Sequence, residues 1–106
     1  MDLTDEIRTE LEGAETARLL GNEGRARVCA RRAAGLAARD FFVRHKARAN
    51  TSSAYKALQE LATYPGLAPE LKQAAAHLTM RITEEFTLPV EVDLIAEARK
   101  LIGGLS

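Results

Sequence analysis

The sequence predicts an all-α fold: one domain over residues 1–106, an antiparallel bundle of four main helices with a short C-terminal fifth. Three observations carry this. Nineteen of the 106 residues are alanine, the best helix former, against eight valines and isoleucines together. No stretch alternates apolar and polar residues over a strand's length between hairpin turn signals. Apolar residues instead recur every three or four positions between short Gly, Pro and Ser breaks, and short loops make successive helices antiparallel.

Each helix follows from its own signals. Leu3, Ile7, Leu11 and Ala14 share the inner face of the first, and Asp5, Glu6 and Glu10 suit the positive end of its dipole. Gly21 can end it in the left-handed conformation, and Asn22 can cap the next. The second helix is predicted from about Glu23 to about Val43, with Ala26, Ala30, Ala33 and Ala37 on one line and Cys29 and Phe41 beside it. Val28, Gly35 and Phe42 follow at seven-residue intervals on the opposite face, flanked by Arg31, Arg32 and Arg39. A helix apolar on two sides is either central to its bundle or shared with a second subunit. The second option predicts a homodimer with some of Val28, Gly35 and Phe42 in its interface.

After a basic connection from His45 to Thr51, one of Thr51, Ser52 and Ser53 caps a third helix bearing Ala54, Leu58, Leu61 and Ala62, which Pro65-Gly66 ends. Pro69 opens the fourth, where its missing N–H is an orphan in any case. Leu71, Ala75, Leu78, Ile82 and Phe86 form that helix's inner stripe up to Leu88-Pro89. Leu94, Ala98, Leu101 and Ile102 make the fifth, with Gly103-Gly104 as its expected end.

Charge is divided unevenly along a chain whose formal net charge is zero. Arg25 to Arg48 holds eight of the fifteen Lys and Arg residues with one acid, Asp40, leaving +7 there and −7 elsewhere. Cys29 is the one cysteine, so an intramolecular disulfide is excluded and a reducing, cytoplasmic setting is expected. The acidic start, MDLTDEIRTE, does not read as a leader, and no apolar run approaches the roughly 20 residues needed to span a bilayer. Two distant histidines and one cysteine give no metal-ligand spacing, and no Gly-rich phosphate loop is present, so no cofactor is expected. His77 reads as a helix-surface or partly buried histidine, and Cys29 as a small buried hydrophobe.

Three segments together carry a family resemblance. Gly21-Asn22-Glu23-Gly24 leads into a long helix with Ala26, Ala30 and Ala33 in an Ala-x-x-x-Ala-x-x-Ala pattern. Ala54 to Leu61 follows the Ser52-Ser53 cap with Leu58 and Leu61 in place. Glu97-Ala98-Arg99-Lys100-Leu101-Ile102 comes late. In order and spacing these segments resemble the HEPN superfamily, the higher eukaryotes and prokaryotes nucleotide-binding domains, over nearly the whole chain. The resemblance implies a small helix bundle and, in catalytic members, a dimeric ribonuclease using an Arg and a nearby His. The chemistry is reasonable, since arginine holds a phosphate and histidine moves a proton near neutral pH. At the aligned position this chain reads Arg81-Ile82-Thr83-Glu84-Glu85-Phe86, with phenylalanine where the histidine would stand. A second pair, Arg39 and His45, has suitable spacing but lies at the end of the second helix.

The expectation is therefore a non-catalytic HEPN-like module acting through self-association or partner binding, with a nucleotidyltransferase-type or other protein among the partners considered. Two alternatives stand beside it. Nucleic acid or a nucleotide phosphate could bind Arg27, Arg31, Arg32 and Arg39, or Arg39 and His45 could form a ribonuclease site. Against phosphate binding, the zero net charge and few aromatics predict that the arginines match the acids of the first helix, Asp2 to Glu15.

Overall fold

The computed structural model describes residues 3–45, 53–80 and 92–105. They form five helices and no strand: α1 (Leu3–Leu19), α2 (Glu23–Arg44), α3 (Ala54–Ala62), α4 (Pro69–Leu78) and α5 (Leu94–Leu105). One continuous core draws on all five. The Cα radius of gyration is 13.1 Å, about that of a compact chain of this length.

A Gly-Asn pair joins the two longest helices. Gly21 has φ +79°, a conformation a side chain would resist. Asn22 N–H donates to the Ala17 carbonyl at 2.8 Å and Gly21 N–H to that of Arg18 at 3.0 Å, which together make a Schellman turn. The Asn22 side chain then accepts from Arg25 N–H at 3.1 Å and opens α2. Of the three candidate caps for α3, Ser53 does the work, accepting from Lys56 N–H at 3.2 Å. Asp93 starts α5, its Oδ1 accepting from the N–H groups of Ile95 and Ala96.

Asp93 also ties α5 to the α1–α2 turn. Arg18 donates to Asp93 at 2.9 Å and, through two nitrogens, to both carboxylate oxygens of Glu23 at 3.0 and 2.7 Å. The Glu23 bond, and Asp93 beside it, raise the Arg18 pKa against the effect of burial. The same arginine lowers that of Glu23. Burial works to raise the pKa of Asp93, but the Arg18 bond and the two capping N–H groups hold it below the ordinary carboxylate value.

α2 lies at the centre, packed against α1, α3 and α5. Ala26, Ala30, Ala33, Ala34, Ala37 and Ala38 are buried along it, so three neighbours can approach its axis closely. Two of its three interface candidates fall inside this packing. Phe42 is 1% exposed and packs edge-to-face with Tyr64 at 5.5 Å, while Gly35 is buried under Ala54. Gly35 and Phe42 therefore belong to the chain's own core and not to a face open to a second subunit; of the three interface candidates only Val28, 41% exposed, is on the surface. The reason is geometric: a seven-residue step falls about 20° short of two full helical turns, so the line from Val28 through Gly35 to Phe42 rotates progressively beneath α3.

Two helix ends differ from expectation. α4 stops at Leu78, short of Ile82 and Phe86, which lie outside the described residues. α5 runs through Gly103-Gly104 to Leu105 and is longer than α3 or α4, so it is a principal helix of the core and not a short appendage. Gly104 is needed for contact: a Cβ there would lie 2.6 Å from a Leu71 methyl carbon.

Among the described glycines the backbone approach is tightest at Gly35, where an added Cβ would fall 2.9 Å from the Cα of Ala54. Gly35→Ala gains roughly 1 kcal/mol of helix propensity but pushes α2 off α3, and overpacking costs about 1–3 kcal/mol. Net destabilisation is expected in urea unfolding. Gly104→Ala should cost less, because the Leu71 side chain can yield where the Ala54 backbone cannot.

Candidate functional site

The outer side of α2 carries Val28, Arg32, Leu36, Arg39 and Val43, a stripe about 22 Å long. Val43 is 69% exposed and Leu36 is half-buried. α1 runs along one side of this stripe and the start of α3 along the other. Between them lies a groove of about 390 Å³ lined by Glu6, Thr9, Glu10, Arg32, Leu36, Arg39 and Ala54. It continues into a second hollow, about 340 Å³, formed by Leu3, Glu6, Leu36, Arg39, Asp40 and Val43.

The charges in this groove do not pair as expected. Among the described residues no ion pair joins a carboxylate of α1 to Arg25, Arg27, Arg31, Arg32 or Arg39. Asp5 meets Arg8 within α1, Glu15 meets Arg99 of α5 at 3.1 Å, and Arg44 takes Asp40 of its own helix at 2.7 Å. Arg32 and Arg39 stand across open space from Glu6 and Glu10. The first helix thus balances the second over a groove and not through contacts along a rim.

The four arginines proposed as a phosphate face are not equivalent. Arg32 and Arg39 are exposed on the groove, and Arg27 is half-buried with its charge felt by Glu23 and Arg31. Arg31 serves another purpose. Its Nε donates to the Leu78 carbonyl at 2.7 Å and an Nη to that of Met80 at 3.0 Å. Tyr55 Oη donates to the Thr79 carbonyl at 3.1 Å, and Thr79 Oγ1 to that of Ala76 at 2.9 Å. Arg31 thus satisfies the last carbonyl of α4, at Leu78, while the Met80 and Thr79 carbonyls that Arg31 and Tyr55 meet lie just beyond the helix. Burial, and then the charge of Arg27 one turn away, lower the Arg31 pKa.

Arg39 and His45 are not brought together. Six residues on one helix separate them by about 120° around its axis. Arg39 lines the groove, whereas His45 stacks on Phe41 at 4.2 Å with Nδ1 3.0 Å from the Phe41 carbonyl oxygen. Arg81 and Phe86 lie outside the described residues. Cys29 is buried, with its sulfur packed towards Gly13 of α1.

His77 is largely buried against α5, with Nδ1 3.5 Å from a Glu97 oxygen, and Lys100 approaches the other Glu97 oxygen at 3.7 Å. No group of three His, Cys, Asp or Glu residues suited to a metal occurs among the described residues. None of the described helices is long and apolar enough to cross a membrane.

Sequence reasoning missed the capping role of Arg31. The available signal was its angle on α2, one turn before Gly35 on the side that turns towards α3, where Arg32 points outwards. Comparison with protein-family models, characterised proteins and solved structures gives no match.

The capping geometry can be tested directly. Arg31→Gln should leave the Leu78 and Met80 carbonyls poorly satisfied and destabilise the protein by about 1–3 kcal/mol. Hydrogen exchange near Thr79 should accelerate more than exchange in α1. The same change at exposed Arg32 should alter stability by about 0.5 kcal/mol or less.

Proposed function

We propose that this chain is a HEPN-like antiparallel helical module, without ribonuclease activity, that works in the cytoplasm by self-association through the outer stripe of α2. The observation that carries this is the groove around Leu36, which joins exposed apolar surface to charges of both signs. Arg32 and Arg39 have no ion pair among the described residues, and Glu6 and Glu10 line the same groove. A surface bearing both signs is its own complement, so arginines of one copy can meet glutamates of another across an isologous contact. Leu36 and Val43 supply its apolar part, with Val28 at the far end.

The same mixture of charges counts against nucleic acid. A phosphate backbone laid on Arg32 and Arg39 would also meet Glu6 and Glu10. The ribonuclease reading needs Arg39 and His45 to act together, yet Arg39 lines the groove and His45 stacks on Phe41.

Sedimentation velocity at about 50 µM should give a dimer, a concentration at which a micromolar association is largely complete. Leu36→Glu should convert it to a monomer with unchanged helical circular dichroism. A wild-type monomer under these conditions would sink the reading.

Single-stranded RNA should survive incubation with the protein. If cleavage is seen, and both Arg39→Ala and His45→Ala abolish it while remaining folded, the ribonuclease reading replaces this one.

A further inference from the structure

A smaller hollow lies between α2 and α3, beyond the end of the mixed-charge groove. Its volume is about 180 Å³, and it is lined by Val28, Arg31, Arg32, Ala54, Tyr55 and Leu58. A cavity of roughly 150 Å³ suffices for a benzene ring. This space therefore has room for one aryl or branched-alkyl group. Leu58 is fully buried, and Val28 and Ala54 complete an apolar wall.

Its polar edge has one sign. Among the described residues Arg31 and Arg32 line it and no acid does, whereas the adjoining mixed-charge groove includes Glu6 and Glu10. Two of these polar groups are already fixed in position. Arg31 is held by the Leu78 and Met80 carbonyls, and Tyr55 by that of Thr79. Those partners are neutral, so the Arg31 charge faces no counter-charge among them. Immobilised donors beside a desolvated cation lose little entropy on receiving an anion.

We propose that this hollow binds a small organic carboxylate, with the aryl or branched-alkyl body against Val28, Ala54 and Leu58 and the carboxylate on Arg31 and Arg32. The chemistry is that of a free short branched acid or of a peptide C-terminus ending in leucine or phenylalanine. The hollow shares Val28 and Arg32 with the outer stripe of α2 but not Leu36 or Arg39, so a change at Leu36 tests the dimer without touching the lining of the hollow.

The test is titration of the ¹⁵N-labelled full chain with 4-methylpentanoate and, separately, with its uncharged amide. Shifts of the Ala54–Leu58 amides should saturate with the acid at about 1 mM, and the amide should bind at least about tenfold more weakly. Arg32→Gln, an exposed change that leaves the α4 cap in place, should weaken the acid by a similar factor. Leu36→Glu, which tests the dimer, should retain the binding, so failure of one proposal is separable from failure of the other. An acetylated tripeptide ending in leucine, as free acid and as amide, distinguishes the sources. Tighter binding of the peptide acid identifies a chain terminus, and tighter binding of 4-methylpentanoate identifies a free acid. Equal binding of acid and amide, no saturation by about 10 mM, or an unchanged Arg32→Gln would overturn the proposal.

Discussion

The structure depends on how little space α2 occupies. Six buried alanines and Gly35 let α1, α3 and α5 approach one helix from three directions. Alanine contributes modest apolar area, so the larger part of the burial comes from the neighbours: Leu58 and Leu61 of α3, Leu78 of α4, and Leu94 and Leu101 of α5. The contact at Gly35 and Ala54 sets the limit of this arrangement, because backbone there meets nearly bare backbone. At the far end of α2 the packing changes character, and Phe41, Phe42 and Tyr64 fill the wider space by edge-to-face contacts.

Once α2 is enclosed on three sides, its fourth side determines what the molecule presents to solvent. That side is where Arg32, Leu36, Arg39 and Val43 stand, flanked by the glutamates of α1. The arginines of one helix thereby divide into two groups with different chemistry. Arg31 is turned inwards and ends α4, while Arg32 and Arg39 remain available. Adjacent positions on a helix differ by about 100°, which is enough to move a guanidinium from open groove to structural cap.

Much of the fold was legible in the chain. The Gly21-Asn22 turn, the Ser53 cap among its alternatives, Pro69 at the head of α4 and the alanine line of α2 are local signals, and local hydrogen bonds realise them. The errors fell where a distant partner decides. Gly103-Gly104 reads as a stop because glycine weakens a helix in isolation, yet Leu71 packs against Gly104 and the helix continues. The fourth helix reads as extending to Phe86 because its apolar spacing continues, yet α4 ends at Leu78, where Arg31 of α2 takes the last carbonyl.

Helix propensity, capping and apolar periodicity are properties of neighbouring residues, so the sequence by itself determined the all-α class, the order of the helices and the buried line of α2. Which side of α2 meets solvent, which arginine is spent on a helix end, and that Gly35 and Phe42 lie inside the bundle were decided by tertiary structure. Arg18 and Asp93 are 75 residues apart and Arg31 and Leu78 are 47 apart. Pairings over such separations carry no local signal; they exist only after the packed helices bring the groups within hydrogen-bonding distance.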